Sequence, residues 1–279
     1  MLDAPEPASL LPDPASIRVA TLGQLTREGA WELGLLHNRP DHMLIWITRG
    51  QGVALLEGAR KGVGAHNVIF VPAYQLLALD MGRQGFGQAL IVPPNVPLPL
   101  PTGVHHLRIR DAGAQAEMTM RMEALAREQA AMQELRDHAI NAHAELVAIW
   151  LRRQIAHAAH PAEPASDRQR LARAYFARLT RDFANGASIS DHAGALGVSA
   201  GELTSVCRAE TGRSAATLLS ERLLHAARRR GLGAGDTPVA DIARELGFSS
   251  PVQFARFLRD HSGKTPEMLQ QVATGDPGD

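Results

Sequence analysis

Long polar side chains recur at about the spacing of a helix turn in the segment that begins at Ser250. Gln253 and Arg256 are three residues apart, and Arg259 follows after three more. An arginine side chain can pair with both acceptors of guanine, and a glutamine side chain with the edge of adenine. Together with Val252, these residues have the chemistry to contact bases and phosphates from one exposed face of a helix.

This segment is the second copy of an internal repeat. The stretch SAGELTSVCRAETGRSA from Ser199 aligns with SPVQFARFLRDHSGKTP from Ser250 at an offset of 51 residues. Just upstream, an alanine and a glycine four residues apart also occur in both copies. A unit present only twice does not form a solenoid, so the pattern indicates one supersecondary unit used twice.

Each copy carries the same three local signals. A glycine ends one helix, a serine caps the next helix, and an acid or amide three residues later is expected to complete a capping box. These residues are Gly197, Ser199 and Glu202 in the first copy, and Gly247, Ser250 and Gln253 in the second. A helix, a glycine turn and a capped helix with a polar outer face predict a helix-turn-helix that enters the major groove of DNA.

The second helix of each copy has one apolar side and one polar side. The apolar sides are Leu203, Val206 and Cys207, then Phe254, Phe257 and Leu258. The predicted DNA contacts are Ala200, Glu202, Thr204, Ser205 and Arg208 in the first copy, and Ser250, Val252, Gln253, Arg256 and Arg259 in the second. We expect the second copy to read sequence more strongly, because Thr204 and Ser205 are short and Glu202 is occupied by its cap. Arg208 and Arg259, late in their helices, should meet phosphates.

Residues 168–271 resemble the DNA-binding domain of the AraC/XylS family of transcription activators. The resemblance rests on Ile242–Ser249, on Phe254-x-Arg256-Phe257, on Gly263-Lys264-Thr265-Pro266 and on Arg222–Ala226 at the start of a linker-helix motif. It implies seven helices, with both helix-turn-helix units held by one long helix at about 215–230. The sequence departs from the pattern at His192, where leucine is usual, at Ser205, where arginine is usual, and at Arg230–Pro238, which is about two residues long.

The first half of the chain has a different pattern. Short apolar runs separated by glycine and proline between residues 18 and 110 favour an antiparallel barrel or sandwich, and more loosely this part resembles the cupin-like effector domain that often precedes the family's DNA-binding domain. Two helices follow within 112–158. The fold class is therefore α+β: an antiparallel cupin-like β-barrel with dimerisation helices, then an all-α domain. Candidate effector contacts on or near the strands are Arg39, His42, Trp46 and Tyr74.

These patterns divide the chain into segments. The predicted divisions are an arm at 1–17, the effector domain at 18–110, dimerisation helices at 111–158, a linker at 159–166, the DNA-binding domain at 167–272 and a tail at 273–279. We expect Leu146 and Leu151 to contribute to the dimer, because the second helix is apolar nearly all round.

Composition narrows the function without assigning it. The net charge is zero, but residues 1–165 sum to −2 and residues 166–271 to +4. No apolar run is long enough to span a bilayer, and a single cysteine excludes an internal disulfide; both observations predict a cytoplasmic protein that binds no membrane. The sequence lacks the His-x-His motif through which cupin-like barrels often bind a metal. His37, His42 and His66 are the remaining candidate ligands, but a metal site needs three or four converging ligands. Neither a metal nor another cofactor is therefore predicted.

The sequence therefore predicts a regulator rather than an enzyme. It should bind promoter or operator DNA as a homodimer, respond to a small organic effector, and recruit RNA polymerase if it is an activator, which is the expected sign. Two alternatives stay open: a DNA-binding regulator that needs no effector, and a cupin-type enzyme with an appended helical domain.

Overall fold

The first half of the chain folds into two antiparallel sheets. The computed structural model describes residues 16–131, 133–158, 164–233 and 237–273. Its described residues include eight strands separated by turns and loops: β1 (Arg18–Thr21), β2 (His42–Arg49), β3 (Gln51–Leu56), β4 (Ala59–Gly64), β5 (Asn67–Val71), β6 (Leu77–Asp80), β7 (Phe86–Val92) and β8 (His105–Arg108). Two short helices, α1 (Leu22–Leu25) and α2 (Trp31–Gly34), lie between β1 and β2. The predicted arm lies mostly outside the described residues.

The predicted α+β class is confirmed, but the β-barrel of the prediction is not closed. The strands form a five-stranded sheet in the order β1-β7-β2-β5-β8 and a three-stranded sheet in the order β4-β3-β6. Among the described residues no ladder joins the two sheets. An isolated bridge pairs His37, which precedes β2, with Leu77 of β6. The pattern of short strands predicts how many strands there are, but not whether the edge strands of the two sheets hydrogen-bond to each other. The same pattern is therefore compatible with a sandwich and with a barrel.

Strand β2 is central because both of its faces are covered. Met43, Ile45 and Ile47 point toward the three-stranded sheet and belong to the core between the sheets. Leu44 and Trp46 point the other way, toward the two helices that follow the strands. This alternation with a period of two is the expected consequence of the pleat.

Helices α3 (Ala112–Ala130) and α4 (Arg136–Ala158) cover the outer face of the five-stranded sheet. The Trp46 indole Nε1 donates to the Thr119 hydroxyl at 3.1 Å, and its ring meets Trp150 edge-on at 6.3 Å. Leu151 is fully buried in this core, whereas Leu146 is 42% exposed. Of the two leucines expected at a dimer contact, only Leu146 lies on the open side of α4.

Seven helices make up the described part of the second half, as the family resemblance implies. They are α5 (Asp167–Asp182), α6 (Ile189–Gly194), α7 (Ala200–Thr211), α8 (Ala215–Gly233), α9 (Val239–Glu245), α10 (Pro251–Ser262) and α11 (Pro266–Ala273). Most of the predicted linker, residues 159–163, and the tail from residue 274 lie outside the described residues. Within the part of the chain that the structure describes, no helix is long and apolar enough to cross a membrane.

Helix α8 joins two cores. Leu218 packs with α5, α6 and α7 in one apolar cluster, which also takes in Leu36 and Leu76 from the sheet domain. Leu224 packs with α9, α10 and α11 in the other. Phe183, just after α5, packs against both clusters. The long helix therefore holds both helix-turn-helix units and also contacts the first half of the chain.

Candidate nucleic-acid interface

Helix α10 presents the outer face that its sequence predicts. The Ser250 hydroxyl accepts a hydrogen bond from the Gln253 amide at 3.2 Å and caps the helix, and Pro251 occupies its first turn. Phe254 is buried. The predicted contacts Val252, Gln253, Arg256 and Arg259 are exposed, with 79% of Val252 accessible.

Arg256 carries one intrahelical contact. Its Nε lies 3.6 Å from Asp260 Oδ2, and the two side chains are 83% and 58% exposed. Exposed ion pairs contribute about 0–1 kcal/mol, so the guanidinium can leave Asp260 for a base at little cost.

Helix α7 is built in the same way but with shorter polar groups. The Ser199 hydroxyl accepts from the Glu202 amide at 3.1 Å. Glu202, Ser205 and Arg208 are exposed, while Ala200 and Thr204 are half-buried. Both predicted turn glycines adopt the left-handed conformation, with φ of 74° at Gly197 and 78° at Gly247.

Neither predicted capping box closes. The Glu202 side chain does not return to the Ser199 amide, although Ser199 is the N-cap. The Gln253 side chain accepts from the Ser249 hydroxyl at 2.6 Å instead. The first bond of each capping box, from a backbone amide to the serine hydroxyl, is fixed by the geometry of the helix start. The second bond requires one particular rotamer of the longer Glu202 or Gln253 side chain, which has other rotamers available. The Glu202 carboxylate is therefore available on the face that would meet the groove. The prediction that this side chain completes the cap is wrong.

His192 fills the position where leucine is usual and is fully buried. Arg178 Nε donates to His192 Nδ1 at 3.0 Å, and the ring lies edge-on to Tyr175. Burial and Arg178 lower the pKa of His192, so the neutral ring carries its proton on Nε2. That atom is buried with no hydrogen-bond partner.

Cys207 is a core thiol, as its apolar stripe predicts. It is fully buried, and burial raises its pKa to about 12. A thiol that stays protonated in an apolar core is unreactive.

The three consecutive arginines late in α8 each have a partner within the chain. Arg228 lies over the Trp31 ring at 5.1 Å, Arg229 is 3.9 Å from Glu32, and Arg230 is 3.2 Å from Glu245. Sequence reasoning missed this role because the first two partners lie almost 200 residues away along the chain.

The four candidate effector contacts do not converge on one cavity. Trp46 is buried under α3, and Tyr74 is 56% exposed. His42 Nδ1 accepts from the Ala73 amide at 3.1 Å, and Arg39 Nε donates to His37 Nε2 at 3.4 Å. None of the four lines the large cavity described next.

A cavity of about 900 Å³ opens between α1, α2 and the loop that connects β6 with β7. We call it the α1–β7 cavity. Its lining combines apolar side chains with four threonine hydroxyls, one amide and three charged groups. Residues from α2, from β6 and from the segment that leads into β7 contribute to the lining, among them Ala30, Leu33, Leu79, Asp80, Met81 and Phe86.

The candidate metal histidines are spread over different contacts. His37 stacks on His225 at 4.4 Å, His42 stacks on Phe70, and His66 stacks on Trp46. Within the described residues, no three histidine, cysteine or acidic side chains lie together as a metal site would need.

Two helix-turn-helix units on one shared helix define the second half as a DNA-binding domain. The sequence model of a helix-turn-helix domain family matches residues 192–271. This domain belongs to the AraC type, which confirms the predicted family, and the chain is a DNA-binding transcription regulator. No curated protein matches the sequence significantly.

Several solved structures are similar to the chain. ToxT from Vibrio cholerae strain SCE256, bound to an unsaturated fatty acid, has 9% identity over 95% of this chain and 98% of its own, with a TM-score of 0.43. A DNA-binding transcriptional dual regulator from Escherichia coli K-12 has 21% identity over 42% of this chain and 100% of its own, with a TM-score of 0.32. The AraC-like transcriptional activator CuxR has 11% identity over 91% and 78%, with a TM-score of 0.29.

Proposed function

We propose that the chain is a sequence-specific transcription activator that places α7 and α10 in successive major grooves of promoter DNA and responds to a small organic effector. The observation that carries this proposal is the pair of capped helices with buried apolar sides and exposed polar sides, both anchored on α8. Such helices read bases through their outer side chains. On this reading the chain is not an enzyme and acts in the cytoplasm.

Base reading is assigned mainly to α10. Arg256 lies in the middle of the exposed face and carries only the weak pair with Asp260. Arg259 and Arg208 lie one turn further along their helices and are assigned to phosphates. In α7, Glu202 joins the reading face because its carboxylate can accept from the amino group of cytosine.

The effector is assigned to the α1–β7 cavity. Effector and substrate pockets usually span about 300–1,000 Å³ and combine apolar walls with a few polar groups. The apolar Leu33, Met81 and Phe86 line this cavity together with polar side chains. These features favour a molecule with an apolar part and several hydrogen-bonding groups.

The remaining partners follow from the same scheme. The open side of α4, which includes the exposed Leu146, is assigned to a homodimer contact. RNA polymerase is the partner that an activator needs. The domain limits stay as the sequence predicts them, with the effector domain at 18–110 and the DNA-binding domain at 167–272.

The DNA assignment is tested by selecting binding sites from a random library at one fixed salt concentration. Arg256→Ala should relax the preference at one or two base pairs, since a bidentate pair contributes about 1–3 kcal/mol of discrimination. Arg259→Ala, the matched control on the same helix, should weaken all sequences alike and lower the salt slope by about 1.

The first unit is tested in the same experiment. Ser205→Ala should change little, whereas Glu202→Ala should alter the selected bases near α7. If Ser205→Ala changes the selected motif more than Arg256→Ala, the assignment of base reading to α10 is wrong.

A further inference from the structure

Residues 30–38 connect the α1–β7 cavity with helix α8, and we call them the coupling segment. At its start, Ala30 and Leu33 line the cavity. Leu33 is only 3% exposed and packs into the core between the two sheets. A ligand that fills the cavity therefore meets α2 directly.

The backbone of the coupling segment is bonded to α8 at two places. The Leu36 amide donates to Glu221 Oε2 at 3.3 Å. The carbonyl oxygen of Glu32 accepts from His225 Nε2 at 3.2 Å. One turn of α8 separates Glu221 from His225, so the two bonds hold the coupling segment against adjacent turns of the helix.

Side chains of the segment add further contacts. Arg222 Nη2 donates to Asn38 Oδ1 at 2.6 Å. The buried His37 ring stacks on His225 at 4.4 Å, nearly parallel to it. Trp31 meets the same histidine edge-on at 5.5 Å. Residues within one short segment thus hold the helix that carries both DNA-reading units.

The segment is also fixed to the opposite cavity wall. His37 and Leu77 exchange two backbone hydrogen bonds, at 2.9 and 2.8 Å. Leu77 begins β6, and the later β6 residues Leu79 and Asp80 line the cavity. The cavity therefore contacts the segment both directly, through α2, and indirectly, through β6.

Glycines flank the part that contacts the cavity. Gly29, with φ of 137°, precedes α2, and Gly34 is its last residue, with open space where a Cβ would stand. A single helical turn has no stability of its own. Displacing Ala30 and Leu33 therefore also displaces Trp31 and Glu32, which contact α8.

We propose that the coupling segment transmits occupancy of the α1–β7 cavity to α8, and that a filled cavity weakens the contacts with α8. This inference rests on the proposed effector function. A ligand shifts such an equilibrium only through unequal affinity for the two arrangements. The effect is reciprocal, so loosening α8 must strengthen binding in the cavity.

The first test fills the cavity without a ligand. In the full-length chain, Ala30→Trp adds an indole to the wall of the α1–β7 cavity. The matched control is Ala112→Trp, because Ala112 lines a neighbouring depression beside α3, which shares Thr119 and Glu123 with the cavity, but is not itself part of the cavity lining. Amide hydrogen exchange in residues 221–229 should become about tenfold faster in Ala30→Trp, within the usual range for coupled sites. It should not change in Ala112→Trp. Unchanged exchange in a folded Ala30→Trp chain overturns the proposal.

The second test works in the reverse direction and needs no cavity substitution to fold. The probe is anilinonaphthalene sulfonate, an apolar fluorescent anion, titrated into the unaltered full-length chain and into His225→Ala. The matched control is His261→Ala, which removes an exposed histidine from α10. His225→Ala should bind the probe at least about threefold more tightly, and the control should match the unaltered chain.

Equal affinity in all three chains overturns the coupling while leaving the cavity as a binding site. Absence of any saturable probe site counts instead against the effector assignment, and the exchange rates of Ala30→Trp then decide the coupling. The two proposals therefore fail in distinguishable ways.

Discussion

Replacing Gly247 by alanine should damage the second helix-turn-helix far more than the equivalent change damages the first. Gly197 and Gly247 occupy the same place in the repeat and have nearly the same φ, 74° and 78°. A left-handed conformation costs an L-residue about 1–2 kcal/mol. This cost is common to both positions, so Gly197→Ala serves as the matched control.

The surroundings of the two glycines differ. A Cβ at position 247 would lie 2.4 Å from the Gly186 nitrogen and 2.6 Å from the Ala184 carbonyl oxygen, whereas a Cβ at position 197 would meet nothing within 4 Å. Both obstacles are backbone atoms and cannot rotate away. Overpacking of this kind costs about 1–3 kcal/mol. We therefore expect about 1–2 kcal/mol for Gly197→Ala and about 2–5 kcal/mol for Gly247→Ala.

Native-state hydrogen exchange on the full-length chain measures each unit separately. Amides of α6 and α7 report on Gly197→Ala, and those of α9 and α10 on Gly247→Ala. The extra 1–3 kcal/mol corresponds to local opening that is about 5- to 150-fold more populated. Equal losses in the two variants would refute the reasoning, because the contact with residues 184–186 would then contribute nothing.

Three further predictions concern helix α4 and two buried histidines. Leu151→Asp should unfold the sheet domain, since an unpaired buried charge costs about 3–5 kcal/mol. Leu146→Asp should stay folded and sediment as a monomer. A folded Leu151→Asp chain or a dimeric Leu146→Asp chain would contradict this. His192→Leu removes the buried, unpartnered Nε2 together with the bond that Nδ1 accepts from Arg178, whose guanidinium keeps its pair with Asp182. Stability in urea unfolding should hold or rise by about 1 kcal/mol; a clear loss would show that the bond from Arg178 contributes more than the unpartnered Nε2 costs. Burial and Arg222 lower the pKa of His225 to about 3. Between about pH 6.5 and pH 3 only the unfolded chain therefore takes up this proton, and stability should fall with decreasing pH by about 1.4 kcal/mol per unit in that window. His225→Gln should remove that share of the slope and His261→Gln should not; identical slopes would refute the assignment.

Local signals predicted much of the DNA-binding half. The repeat, the serine caps and the turn glycines each depend on the backbone within a few residues, and the structure has Ser199, Ser250, Gly197 and Gly247 in these roles. Apolar spacing likewise predicted which sides of α7 and α10 are buried, because one helix period decides it. The AraC-type domain was predicted from the same residues.

Tertiary packing decided what lies between distant segments. Whether the sheets close, which face of α4 covers the sheet, and where Arg228 and Arg229 point depend on partners far along the chain. His37 and His225 are 188 positions apart in sequence yet stack at 4.4 Å, and no spacing rule links them. Hydrogen bonds and φ preferences act over a few residues and can be predicted from the order of residue types, whereas the coupling segment exists only because two independently patterned halves bury surface against each other.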